Sequence, residues 1–195
     1  MIRRLLRSPL VIGALVLGLI AVGTGLYWFQ PWKLWVDETV NESLPTPTAA
    51  AERQPEQPAG TPAASPDAGT PSPPPGPRTV ADGELITHEH ATSGTVKVVE
   101  LADGSRVLRL EGLETSNGPD LKVWITDAPV KPGKAGWHVF DDGKYENLGD
   151  LKGNRGDQNY PLPDDLDLDT YTSVSIWCER FGVSFGAAEL AATQA

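Results

Sequence analysis

Ser173–Leu190 runs SVSIWCERFGVSFGAAEL. Two short runs with apolar alternation, Ser173–Cys178 and Gly182–Ala187, flank the polar break Glu179-Arg180. That is the pattern of two antiparallel strands joined by a tight connection. In SVSIWC a period of two places Val174, Ile176 and Cys178 on one face and Ser173, Ser175 and Trp177 on the other. Cys178, the only cysteine of the chain, therefore stands beside two β-branched aliphatics, facing a core or a pocket that opens from it.

The same pattern continues outward from this pair. TVKVVEL (Thr95–Leu101) and SRVLRLEGL (Ser105–Leu113) flank Ala102-Asp103-Gly104, a strong hairpin signal. LKVWITD (Leu121–Asp127) puts Leu121, Val123 and Ile125 on one face. WHVF (Trp137–Phe140) ends at Asp-Asp-Gly, another turn, and Tyr145–Leu162 reads as a Gly- and Asn-rich loop with one short strand. Nothing here carries a helical period. Residues 79–195 therefore read as one all-β domain, an antiparallel β-sandwich.

The chain before residue 79 is different in kind. Arg3, Arg4 and Arg7 precede an uncharged run from Ser8 to Trp32, and Tyr27, Trp28, Trp32 and Trp35 cluster at its far end. About twenty apolar residues suffice to cross a bilayer as a helix, and aromatic rings favour its interface. We expect a cytoplasmic basic tail at 1–9, a transmembrane anchor at 10–30 and a juxtamembrane segment at 31–44, where residues 32–44 favour a short interfacial helix. Basic residues on the near side keep the N-terminus cytoplasmic and the C-terminal domain extracytoplasmic, as a single-pass plasma-membrane protein. A cleaved secretory signal shares the basic start and apolar middle. The length of the run and the aromatic cluster directly after it favour a retained signal-anchor.

Residues 45–78 hold Pro, Ala, Thr and Gly with almost nothing to bury, the composition of a disordered linker. As an extended stalk it reaches on the order of 100 Å at about 3.1 Å per residue. Cutting it is expected to release the domain. The formal net charge of the whole chain is −10. Residues 1–78 are balanced, Arg3, Arg4, Arg7, Lys33, Arg53 and Arg78 against Asp37, Glu38, Glu42, Glu52, Glu56 and Asp67, so the deficit lies in 79–195. An acidic domain repels nucleic acid, and no nucleic-acid partner is expected.

Cys178 has two readings. A free cysteine is a small hydrophobe among the most buried residue types. A single unpaired thiol outside the cell is also a reactive group. Arg180, beside it, lowers a thiol pKa only if it folds back. His88 and His90 have the i, i+2 spacing that puts two imidazoles on one strand face, yet two ligands do not close a zinc site, and no metal is expected. Asp165, Asp167 and Asp169 open like an EF-hand loop, but Thr170 and Ile176 stand where it needs glycine and glutamate. Asn117-Gly118-Pro119-Asp120 shapes a turn. No nucleophile elbow, phosphate loop, HExxH or covalent haem motif occurs.

Four motifs then carry a likeness: Ser93-Gly94-Thr95 before a strand, NGPDLKVWIT (Asn117–Thr126), LGDLKGNRGDQNYPLP (Leu148–Pro163) and VSIWCERFGVSFGAAEL (Val174–Leu190). In that order they resemble the DM-thirteen domain, or electron-transfer DM-thirteen family, over roughly 83–190. The resemblance implies an all-β extracellular domain, related in role to DOMON modules of cell-surface redox systems. It implies that Cys178 acts in redox chemistry, as a bare thiol or by holding a prosthetic group such as haem. A single anchor without intramembrane histidines carries no electrons across a bilayer, so it also implies a separate redox protein as partner. The alternative, from a different class, is a non-catalytic adhesion or recognition module with Cys178 packed in the core.

Overall fold

The Ala102-Asp103-Gly104 turn joins two strands, as its sequence predicts, with Gly104 at φ 84 and the Asp103 carboxylate accepting from the Ser105 amide at 3.0 Å. The computed structural model describes residues 9–45 and 76–193. Residues 1–8 of the expected basic tail, residues 46–75 of the expected linker and the last two residues lie outside it.

An apolar helix, α1 (Pro9–Phe29), comes first and buries none of its side chains. It is long and apolar enough to cross a membrane. A 3-10 turn, Pro31–Trp35, follows. Eleven strands then appear among the described residues: β1 (Thr39–Asn41), β2 (Arg78–Glu84), β3 (Ile86–Thr87), β4 (Ser93–Glu100), β5 (Arg106–Glu114), β6 (Leu121–Thr126), β7 (Tyr145–Asp150), β8 (Arg155–Pro161), β9 (Ser173–Cys178), β10 (Val183–Glu189) and β11 (Ala191–Ala192). They form two sheets, ordered β1-β8-β5-β4-β2-β11 and β3-β10-β9-β6-β7. Every pairing is antiparallel except β1 with β8, which is parallel.

The core is built from the inward face of each sheet. Val96, Val98, Leu108 and Leu110 come from the six-stranded sheet, and Val123, Ile125, Val174, Ile176 and Cys178 from the five-stranded one, all fully buried. Each aliphatic of this kind contributes about 1.5–3 kcal/mol by leaving water. The opposite face of β9 is buried as well, because the β6–β7 connection folds over it. That connection brings Phe140 against Trp124, Trp177 and Ala187 to make a second, smaller core.

Three segments differ from the sequence reading. Tyr145–Leu162 holds two strands, β7 and β8, rather than a loop with one. Its polar side chains are buried because they are paired: the Gln158 amide donates to Gly153 O at 2.7 Å, and the Tyr160 hydroxyl donates to Gln158 Oε1 at 2.8 Å. Trp137–Phe140 lies in no strand; it follows a 3-10 turn, Gly133–Gly136, and Phe140 is spent on the outer core. Residues 32–44 do not form one interfacial helix. After the 3-10 turn they run extended into β1, which joins the sheet of the domain.

Candidate functional site around Cys178

Cys178 closes β9, its Cα opposite Leu121 of β6 and Val183 of β10. The thiol has no exposed surface and belongs to the core cluster that includes Leu121, Ile176, Val183 and Phe185. It does not stand at the mouth of a pocket. Burial pushes its pKa up, while the backbone N–H groups of Phe181, Arg180 and Asp120 favour the thiolate and the Asp120 charge opposes it. Burial wins, so the group is a protonated thiol at neutral pH.

The turn that follows forms a cap over this end of the strand. The amides of Phe181 and Gly182 both donate to Cys178 O, at 3.3 and 2.9 Å. Gly182 takes φ 59, which a side chain would resist. Glu179 N–H donates to Asp120 O at 3.0 Å, and the Asn147 side chain donates to Glu179 Oε1 at 3.1 Å. His138 holds the turn from the other side, donating from Nδ1 to Gly182 O at 2.6 Å. Arg180 does not fold back onto the thiol. Its guanidinium reaches the end of α1, donating to Trp28 O at 2.6 Å.

The other face of the hairpin is polar and aromatic. The Ser175 hydroxyl donates to Ser184 Oγ at 2.9 Å, and Ser184 Oγ lies 2.8 Å from His88 Nδ1. His88 Nε2 donates to Lys131 O at 3.0 Å; a carbonyl only accepts, so the proton sits on Nε2 and Nδ1 accepts from Ser184. Burial holds the His88 pKa below its ordinary range, and the ring is neutral. Beside it Trp124 stacks on Tyr145 at 3.9 Å and on Trp177 at 5.1 Å between ring centroids.

The two histidines of the HEH motif are not on one face. His88 lies under the β6–β7 connection, whereas His90 stacks on Phe185 at 3.9 Å. Among the described residues no three His, Cys, Asp or Glu side chains stand close enough to hold a metal ion. A haem on Cys178 does not fit either, because the sulfur has no exposed surface and the core around it is closed. The sequence offered His138 only as a partner for Cys178 in a metal set; its hold on the turn and the Ser175–Ser184–His88 relay were missed. The available signal was Ser173 and Ser175 sharing one strand face with Trp177, too polar for an apolar core and too aromatic for a solvated face.

No curated protein and no solved structure matches the chain. The family model described as electron transfer DM13 matches residues 84–190, from the end of β2 to just past β10, and so takes in the whole of this hairpin. On that match, which covers more than half of its length, the chain belongs to the electron transfer DM13 family.

Proposed function

We propose that this protein is a membrane-anchored electron-transfer module, held by α1 with its N-terminus cytoplasmic and its β-domain extracytoplasmic, and that Cys178 is its redox group as a bare thiol. The family supports an electron-transfer role in general. What supports the thiol is its place: Cys178 is the one cysteine of the chain, lies within the span the family model matches and ends β9 directly before the Glu179–Gly182 surface turn. The step is thiol–disulfide exchange with a separate redox protein. The Cys178 thiolate, its proton lost to solvent, attacks a partner disulfide and forms a mixed disulfide, and the displaced partner sulfur leaves as a thiolate. A dithiol donor resolves it: one donor thiolate attacks the Cys178 sulfur and displaces the partner in reduced form. The donor's second thiol then attacks the donor sulfur of the new mixed disulfide, freeing Cys178 and leaving the donor as a disulfide, so that two electrons pass from donor to partner. No external oxidant is consumed. Access comes from opening of the Glu179–Gly182 turn, which follows Cys178 directly.

The burial of Cys178 favours a second reading, a recognition module with the cysteine packed. Alkylation of the native full-length protein in detergent separates the two. Exchange chemistry predicts slow native alkylation whose rate rises with pH above the ordinary thiol range and is insensitive to low urea, because only the turn opens. Packing predicts a rate that climbs with urea along with global unfolding. That second outcome would refute the redox thiol.

A further inference from the structure

Strand β1 enters the six-stranded sheet from the far side of the Pro-rich segment. Residues 30–38 alone separate it from the end of α1, a span of about 30 Å at full extension. β1 lies parallel to β8, Thr39 opposite Arg155, Val40 opposite Gly156 and Asn41 opposite Asp157.

Both ends of the strand are fastened by side chains. At the leading end the Glu38 amide donates to Asn154 Oδ1 at 2.7 Å, and Asn154 donates back to Asp37 Oδ1 at 2.9 Å. At the trailing end Lys152 pairs with Glu42 at 2.8 Å, and the Asn159 amide donates to Glu42 Oε2 at 2.8 Å. Buried Arg109 donates to Glu42 O at 2.9 Å, and the buried Asn159 carboxamide donates to Ser43 O at 2.8 Å. Without the strand, Asn159 loses the Ser43 acceptor and Arg109 loses Glu42 O, keeping Glu111, Asn159 and Asp157. The β8 side is also shaped to admit it. A Cβ on Gly153 would meet Glu38 O at 2.5 Å, and one on Gly156 would meet Val40 O at 2.1 Å.

We propose that residues 37–43 are a clasp that completes the domain. The Pro-rich segment is then a loop closed on one sheet rather than a tether between membrane and domain. Its two ends leave from β1 and β2, four strand positions apart, about 19 Å. Thirty-odd residues cover that distance many times over. The Glu179–Gly182 turn docks on the same end of α1: Phe181 stacks on Phe29 at 5.9 Å, and the Arg180 guanidinium lies 5.5 Å over the Trp28 ring. The clasp does not depend on the redox reading. Its consequence for the membrane rests on α1 being a span: the domain is held at the bilayer surface, so its electron partner is one that also works at that surface.

The test places a site-specific protease sequence between Gly60 and Thr61 of the full chain and cuts it to completion in isolated membranes. The clasp predicts near-complete retention of the C-terminal fragment with the membranes through a high-salt wash, and co-purification of the two fragments in mild detergent. Release of the C-terminal fragment on cutting overturns it. In an Asp37→Arg, Glu42→Lys variant, whose changes flank β1 within the clasp alone, cutting should release the fragment; continued retention there would show that the turn on α1, not the clasp, is the fastening. If the uncut chain is not in the membrane fraction, the anchor reading fails. Fragment co-purification still tests the clasp.

Discussion

The two faces of β9 are buried alike and held by different physics. Val174, Ile176 and Cys178 meet the opposite sheet with no side-chain hydrogen bond among them, and their contribution is area removed from water. Ser173, Ser175 and Trp177 meet the β6–β7 connection instead. Ser173 donates to Ala128 O at 2.6 Å and Ser175 to Ser184 at 2.9 Å, so both hydroxyls leave water with partners, whereas the Trp124 indole N–H of the same outer cluster is buried without one. A strand buried on both faces by unlike neighbours tolerates unlike substitutions on each, and that difference can be measured.

The largest effect is expected at Trp177, which is shared by the outer aromatic stack and Phe140. Trp177→Ala opens a cavity the loop cannot fill and should cost about 3–5 kcal/mol in urea unfolding followed by far-UV circular dichroism. A loss under about 1 kcal/mol would mean that the loop is not packed as described.

On the core face the sharper change is polar. Val174→Thr keeps the shape but adds a hydroxyl without a partner, and should cost about 1–3 kcal/mol. A neutral result would place a hydrogen-bond acceptor where the core shows none.

How far these faces were legible in the sequence follows from the same physics. Period two fixed the core face of β9, and the hairpin at Ala102-Asp103-Gly104 was legible, because both are local. The reason the serine face is buried was not, since its cover comes from residues 127–144, whose Gly, Pro and Lys content reads as exposed loop. β7 and β8 escaped for a related reason: Asn, Gln and Gly carry weak strand propensity, and their burial is supported by hydrogen bonds made across the fold. β1 is a three-residue strand with a polar pattern that no periodicity reveals. At the site, the position of Cys178 on the core face was readable. Its closure by a turn tied to His138 and Asn147 was not, because those contacts are long-range.

The outer face should also respond to acid where the core face does not. His88 is neutral when folded, with its pKa depressed by burial from the ordinary 6.5. Its unfolded form binds a proton that the folded form refuses. The stability it contributes is therefore fully present above about pH 6.5 and is lost as pH falls through the depressed folded value. The carboxyls of Glu42 and Glu111, held low by Lys152 and by Lys97 with Arg109, lose their contributions only below their ordinary 4.5. The two windows separate. Stability should decline between pH 7 and pH 5 in the native chain, and the decline should vanish in His88→Gln. The same decline in that variant would exclude His88 as its source.

The smallest effect is expected at Cys178, where the two faces converge on the turn. A serine there buries a hydroxyl as Val174→Thr does, because the amides of Phe181 and Gly182 are already bonded to the Cys178 carbonyl. Cys178→Ser should cost about 1 kcal/mol, at the low end of the range for Val174→Thr, since the position ends the strand beside a surface turn. Cys178→Ala leaves a small void but buries no polar group, so it should cost less than the serine. If alanine proves the costlier of the two, the serine hydroxyl has found a partner at the turn, and this end of the core accepts a polar group. Unfolding of the three variants under one condition gives the order directly.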